Sequence, residues 1–159
     1  MAMTKQAALQ GLRDSHRQLM SRLEVLAPDA WTAPLSTGSW RVRDVAAHIA
    51  AWDRLLVDDL GALLHGQPPV WLSWDDSTTD AVNETHVRES AAWAIDRLQM
   101  ELRENRAALL DAVAALDDEQ FARSQRAGDV DVSPAWLCEY WITHDREHTA
   151  ELPRVREAG

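Results

Sequence analysis

The sequence is poor in cysteine, with Cys138 as its single instance among 159 residues. One thiol excludes an internal disulfide, so the chain does not have the composition of a small secreted domain stabilised by disulfides. The amino-terminal residues 1–6 also lack the apolar stretch of a signal peptide. We therefore expect a cytoplasmic protein.

Long apolar runs are missing as well. Aspartate or arginine interrupts every apolar stretch well before it reaches the length of a membrane-spanning helix. The remaining composition, 46% hydrophobic and 26% charged, is that of an ordinary globular protein. A chain of this length can bury a core without extra cross-links, so we predict one domain over residues 1–159 and no membrane partner.

The chain has few basic side chains relative to acidic ones. The chain has 16 lysines and arginines against 26 aspartates and glutamates, which gives a formal net charge of −10. Binding to a phosphate backbone requires a basic stripe on the protein surface. The charge balance therefore predicts that the protein has no nucleic-acid partner.

Aromatic residues other than tryptophan are almost absent, with one Phe and one Tyr beside eight Trp. Some of these tryptophans belong to a core, and others are candidates for the walls of a pocket. Trp71 and Trp74, on a connecting segment, would suit a lid over an apolar substrate. Trp93 and Met100 are seven residues apart and off the leucine stripe of their helix, which predicts a homodimer contact.

Hydrophobic residues recur at steps of three and four along four segments, the spacing of amphipathic helices. Ser133 and Pro134 suit the cap and first residue of the last helix. No strand pattern is present, and the connection after the second helix is long for a bundle turn. We predict an all-α fold, a four-helix bundle with a long crossover connection between helices 2 and 3. The predicted helices cover residues 4–27, 41–64, 80–116 and 133–152, with a short helical turn at 117–120.

Three histidines are placed where a metal ion could bind. His144 and His148 lie four residues apart on the inner stripe of the last helix, so both rings can reach one ion. His48 borders the buried face of the second helix. Neutral imidazole is a good ligand for zinc, nickel, iron or copper, and bundle interiors bring ligands together from facing helices. From the pattern alone, buried histidines satisfied by hydrogen bonds are an equally good interpretation.

Two segments of the sequence resemble the DinB/YfiT-like superfamily. Residues 40–49, WRVRDVAAHI, are similar to its W-S-V-x-D-V-x-x-H-L segment, and residues 144–152, HDREHTAEL, to its closing H-x-x-x-H-x-x-Q-L segment. The resemblance implies a three-histidine site for a divalent metal, nickel or zinc first and iron next. By position the ligands are His48, His144 and His148. Arg41 replaces the usual Ser and Glu151 the common Gln, and neither is expected to contact a ligand.

The resemblance also implies a function. Relatives include transferases and isomerases that use low-molecular-weight thiols, and hydrolases that detoxify small molecules. We therefore expect a divalent-metal-dependent enzyme that acts on a small-molecule substrate, with a low-molecular-weight thiol as a candidate partner. The alternative is a non-catalytic metal-binding or stress-response binding protein on the same bundle.

The segment His144-Asp145-x-x-His148 also resembles the zinc-protease motif H-E-x-x-H. Its aspartate is one methylene shorter than the usual general base, and a downstream third ligand could only be Glu151 or Glu157. A protease is therefore disfavoured.

Several other side chains are weaker candidates for the site. Asp44 and Asp145 could accept a hydrogen bond from an imidazole N–H, although a position on the helix surface is the default for such carboxylates. His16 fits a core position, and Cys138 fits that of a small buried hydrophobe. Two further histidines are His65, which suits a helix end, and His86 near the long connection, which could face the pocket or lie on the surface.

Overall fold

Residues 3–154, which the structure describes, form six α-helices and a short β-hairpin in this computed structural model. Two single-turn 3-10 helices, Pro28–Thr32 and Val70–Ser73, lie in the connections that flank the second helix. The other elements in chain order are α1 (Lys5–Glu24), α2 (Val42–Leu64), α3 (Asp76–Glu89), α4 (Ile95–Ala115), α5 (Asp118–Ala122), β1 (Gln125–Ala127), β2 (Val130–Val132) and α6 (Pro134–Glu151).

Four of these helices, α1, α2, α4 and α6, make the bundle, which confirms the predicted all-α four-helix fold. Helix α2 packs mainly on α4, and α1 packs on α6 and α4. Their leucine stripes meet in the interior, where Leu12, Leu56, Leu102 and Leu137 are fully buried. The crossover predicted after α2 is not confirmed, because the long connection that contains α3 joins two neighbouring helices.

The last helix begins where the sequence predicts. The Ser133 hydroxyl accepts a hydrogen bond from the Trp136 N–H at 3.1 Å, and Pro134 is the first helical residue. The hydroxyl satisfies one of the N–H groups that a helix start leaves unpaired. This cap fixes the start of the stripe that carries His144 and His148.

The helix predicted over residues 80–116 is two helices, and that prediction is wrong. Helix α3 ends at Glu89 and α4 begins at Ile95. Arg43 of α2 donates hydrogen bonds to the Ser90 and Trp93 carbonyls, at 3.2 and 2.7 Å. These contacts stabilise the break, because they satisfy carbonyls that are no longer paired within a helix. Nothing in the local sequence signals the break.

A two-stranded hairpin also escaped prediction. Its strands pair in antiparallel register, with Gln125 opposite Val132, and Gly128 turns the chain with a φ of 60°. Three residues a strand are too few for an alternating pattern to show. The hairpin adds Val132 to the core.

The homodimer stays a prediction. Trp93 lies before α4, so it does not share a helical stripe with Met100, and the Arg97 guanidinium lies 3.9 Å from the centre of its ring. Met100 is exposed. Within residues 3–154, none of the helices is long and apolar enough to cross a bilayer.

Candidate metal centre

The three predicted histidines come together between α2 and α6. His144 Nε2 lies 3.0 Å from His48 Nε2 and 3.1 Å from His148 Nε2. One nitrogen from each ring falls within 4.8 Å of the other two. Three nitrogens that bind one tetrahedral zinc ion at the usual bond length are about 3.3 Å apart, so the cluster is close to the spacing of a ligand set.

Hydrogen bonding alone does not satisfy these imidazoles. A neutral ring carries one proton, and the single Nε2 of His144 can make only one good hydrogen bond with its two neighbours. The Nδ1 atoms of His48 and His144 are buried and have no partner among the described residues. A cation at the point where the Nε2 lone pairs converge would pair with one nitrogen of every ring, so the donor set fits a divalent metal.

Burial keeps the histidines in the form that binds metals. It lowers the pKa of His48 well below its usual 6.5, and the neighbouring His144 and His148 lower it further. Burial likewise lowers the pKa of His144 to about 4. Both rings are therefore neutral at pH 7, with a lone pair available.

Glu151 is a site residue that the sequence analysis missed. Its Oε2 lies 3.1 Å from His148 Nδ1, so the expectation that Glu151 contacts no ligand is wrong. A carboxylate that accepts the Nδ1–H of a ligand histidine leaves the Nε2 lone pair free for the metal. The three-residue spacing of the pair on one helix was a signal available in the sequence.

The two aspartates considered as acceptors for the histidines make other contacts. Asp44 accepts hydrogen bonds from the backbone N–H and the side chain of Arg41, at 2.9 and 2.8 Å, and so caps α2. Asp145 is fully buried and binds Arg106. The hypothesis that either carboxylate accepts an imidazole N–H is therefore wrong.

A buried ionic network lies next to the histidines. The Arg106 guanidinium donates two hydrogen bonds to Asp53 and two to Asp145, at 2.8 to 3.0 Å. Arg106 also donates to the Leu12 carbonyl, and the Ser15 hydroxyl donates to Asp145 at 2.6 Å. The network takes a group from each bundle helix, and it is anchored next to His144 in the chain.

The network also removes the protease interpretation. In that reading Asp145 would be the general base, but its carboxylate is fully buried and held by Arg106. Of the two downstream ligands considered, Glu151 contacts the Nδ1 side of His148, and Glu157 lies outside the described residues.

A cavity of about 420 Å³ opens beside the histidines. Trp52, Trp71 and Trp141 form part of its wall, whereas Trp74 is not among the lining residues and packs against Trp52. The cavity exposes the histidine cluster to a small molecule. Its lining residues are Trp40, His48, Trp52, Trp71, Asp76, Thr79, Asn83, Tyr140, Trp141, His144 and His148.

The weaker candidates lie away from this cavity. Burial lowers the pKa of His16 to about 4, and the ring faces a groove between α1 and α4. His65 is exposed at the end of α2, where its Nδ1 contacts the Gly61 carbonyl oxygen. His86 is in the last turn of α3. Burial raises the pKa of Cys138 to about 12, so its thiol is a core group and not a nucleophile.

Comparison with known proteins identifies relatives of this fold. The family model of the DinB superfamily matches residues 11–152. The fold is similar to YfiT from Bacillus subtilis, described as a probable metal-dependent hydrolase with an unusual four-helix bundle topology (18% identity, TM-score 0.69, 93% of this chain and 83% of YfiT). It is also similar to a mycothiol-dependent maleylpyruvate isomerase (13% identity, TM-score 0.79). The match includes 96% of this chain and 62% of the isomerase. No curated protein matches the chain in sequence.

The prediction that nucleic acid is excluded is wrong. The colibactin self-resistance protein ClbS, which was crystallised in complex with double-stranded DNA, has the same fold (12% identity, TM-score 0.76, 92% of each chain). Net charge sums over a whole surface, whereas phosphates contact a local patch. In this chain, whose net charge is −10, Arg13, Arg17 and Arg103 line one groove together with Glu24, which pairs with Arg103.

Proposed function

Because this chain belongs to the DinB superfamily, we propose that it is a divalent-metal-dependent enzyme that acts on a small molecule. The metal ligands are His48, His144 and His148. The observation that carries this proposal is the convergence of three Nε2 atoms at the wall of a cavity large enough for a substrate. A purely structural cluster would not need an approach from solvent.

The ligand chemistry favours nickel or zinc, because three imidazoles and no thiolate suit these ions. Such an ion, when bound, lowers the pKa of the water or thiol that it holds and so supplies a nucleophile at neutral pH. His48 reaches the site from α2, while His144 and His148 reach it from α6. Glu151 fixes the orientation and the proton of His148.

The remaining polar groups at the cavity are few. Among the described lining residues, Asp76 is the one carboxylate, and Thr79 and Tyr140 add hydroxyl groups. Asp76 is exposed to solvent in the first turn of α3. A cavity with so few acidic and basic side chains suits reactions in which a metal-activated thiol or water acts as the nucleophile.

Two reaction classes are therefore proposed for this site. One is transfer or isomerisation with a low-molecular-weight thiol, and the other is hydrolysis of a small molecule. The two relatives described above support these classes, since one is mycothiol-dependent and the other is described as a hydrolase. A thiol and a water use the same open position, so a single site can serve either class.

The test is a turnover assay on protein loaded with zinc or nickel. Low-molecular-weight thiols are incubated with electrophiles, and small esters and amides are incubated alone, while loss of thiol and release of acid are followed. We expect turnover that disappears in His48→Ala and persists in His65→Ala, whose histidine is exposed and distant from the cavity. Metal binding without turnover of any compound would favour the non-catalytic binding protein instead.

A further inference from the structure

The cavity beside the histidines is walled mainly by aromatic rings. Trp52 and Trp141 are buried and lie 5.7 Å apart between ring centres, and Trp71 is within 6.1 Å of both. Trp40 closes the side next to the histidines, 4.9 Å from the His48 ring, and Tyr140 lies 5.5 Å from Trp71. These four tryptophans and one tyrosine are five of the eleven residues that line the cavity.

The polar edges of three indoles are already occupied. The Trp52 N–H donates to Asn83 Oδ1 at 2.7 Å, and the Trp71 N–H donates to Asp59 Oδ2 at 2.8 Å. The Trp40 N–H donates to a glutamate of α3, Glu84, at 3.0 Å. A ligand therefore meets the carbon surface of these rings and not their donors. The hydrogen bonds also fix the rings in place, which prepares the wall before a ligand binds.

The charges around the cavity are negative. No lysine or arginine lines it within residues 3–154, whereas Asp76 does, and Asp59 and Glu84 hold two of the indoles. The faces of aromatic rings are themselves electron-rich. Within the described residues, an anionic group on a ligand would thus find no lysine or arginine at the cavity wall and would depend on the metal for a compensating positive charge.

We propose that this cavity selects small molecules that join an uncharged aromatic body to a single metal-binding atom, and that it discriminates against anionic bodies. The inference rests on the proposed metal site, since the histidine cluster supplies the anchor for that atom. The aromatic wall supplies the selectivity. The class of substrate then follows from the wall, whichever reaction the metal performs.

The experiment compares thiols that share one anchor and differ in their bodies. Benzyl mercaptan, 4-(mercaptomethyl)benzoic acid and 2-mercaptoethanol are titrated into the zinc-loaded protein, and dissociation constants are measured by calorimetry. Thiolate binds zinc well, so each compound presents the same group to the metal. Burying a phenyl ring predicts that benzyl mercaptan binds at least about tenfold more tightly than 2-mercaptoethanol. The carboxylate of the benzoic acid should remove most of that gain.

Two matched tryptophan variants test whether the selectivity comes from the wall of the cavity. Trp71→Leu should reduce the preference for benzyl mercaptan severalfold, because the ring forms part of the wall. Trp93→Leu removes a tryptophan of similar exposure that is remote from this cavity and should leave the preference unchanged.

The outcomes separate this inference from the proposed function. If all three thiols bind the zinc-loaded protein with equal affinity, the inference is overturned while the metal site stands. A tighter affinity for the benzoic acid than for benzyl mercaptan also overturns it. If no thiol binds better to the wild type than to His48→Ala, the metal site itself fails and the inference falls with it.

Discussion

At the residue scale, the candidate centre depends on which nitrogen of each imidazole carries the proton. His148 has a carboxylate on its Nδ1 side, so its Nε2 is free to bind a metal. His48 and His144 have no such partner among the described residues. The affinity of the site should therefore depend strongly on Glu151.

Replacing that carboxylate tests its role. Glu151→Ala should weaken zinc binding about 10- to 100-fold, because His148 loses the acceptor that fixes its proton and its orientation. Competition with a chromophoric chelator measures the affinity. Glu147→Ala removes an exposed carboxylate from the same helix and serves as the control. Equal affinities for the two variants would exclude a supporting role for Glu151.

The raised pKa of Asp59 predicts that the stability of the protein depends on pH. Burial raises its pKa to about 6, which the Trp71 N–H opposes and the neighbouring Asp58 reinforces. The folded protein therefore binds a proton that the unfolded chain releases near pH 4. The stability from this group is present at low pH and is lost as the pH rises from about 4 to about 7.

Asp59→Asn should make the free energy of unfolding less dependent on pH over that range. It should also raise stability at pH 8 by about 1 kcal/mol, less than the full pKa shift implies, since solvent screens part of the effect. Urea unfolding at a series of pH values measures both, with the exposed Asp111→Asn as the control. An unchanged pH profile in Asp59→Asn would show that its carboxylate titrates normally.

The three histidines could be predicted from the sequence, whereas the role of Asp145 could not. Spacing on one helix identifies His144 and His148, and the resemblance adds His48. Asp145 was misjudged because its arginine partner is 39 residues away in the chain, at a distance that no local pattern reveals. Glu151 lies three residues after His148, a spacing at which side chains on one helix meet, so this contact could have been predicted from the sequence.

At the scale of the elements, α2 and α6 hold the ligands, so their stability controls the geometry of the site. Helix α2 contains Gly61 in an exposed interior position, where an added Cβ meets no atom within 4 Å. In α1, by contrast, a Cβ at Gly11 would lie 2.5 Å from Ile142 Cδ1 of α6. Close packing therefore requires glycine at position 11 and does not require it at position 61.

The two glycines therefore predict different outcomes for the same substitution. Gly61→Ala should stabilise the protein by about 0.5–1 kcal/mol, the difference in helix propensity. Gly11→Ala should gain less or nothing, because Ile142 must move. Urea unfolding measures both variants. A larger gain for Gly11→Ala than for Gly61→Ala would contradict the packing of α1 on α6.

Element boundaries were predictable where a cap determines them and unpredictable where a tertiary contact does. Ser133 and Pro134 signal the start of α6 in the sequence itself. The break between α3 and α4 is stabilised by Arg43, which lies nearly 50 residues before it in the chain. A helical sequence without glycine or proline gave no reason to expect an end there.

At the scale of the whole molecule, the Arg106 network joins all four bundle helices. Arg106 is almost wholly buried between Asp53 and Asp145. Removing its charge leaves two carboxylates in the core without a cation. Such a loss costs more than the intact network contributes, because the uncompensated groups remain buried.

Arg106→Met should therefore reduce the free energy of unfolding by about 3–5 kcal/mol. The combined variant Asp53→Leu, Arg106→Met and Asp145→Leu should recover much of that loss, since no buried charge is left without a partner. Urea unfolding measures both. If Arg106→Met lowers the free energy of unfolding by less than about 1 kcal/mol, water must reach the network.

The net charge of a whole chain is a poor guide to the partners that a local surface can bind. The net charge of −10 suggested that nucleic acid is excluded, yet a protein of the same fold binds DNA. Composition fixes the sum of the charges, whereas folding decides which of them share a surface. Arg13 and Arg103, far apart in sequence, meet in one groove only because α1 packs on α4.

The most direct test of the account is the metal content of the purified protein. After equilibration with zinc or nickel and removal of the excess, elemental analysis should find one ion per chain in the wild type and in His65→Ala. His48→Ala should lose most of that metal while keeping its helical circular dichroism. Equal metal content in the wild type and His48→Ala, or no metal in either, would contradict a site built from His48, His144 and His148.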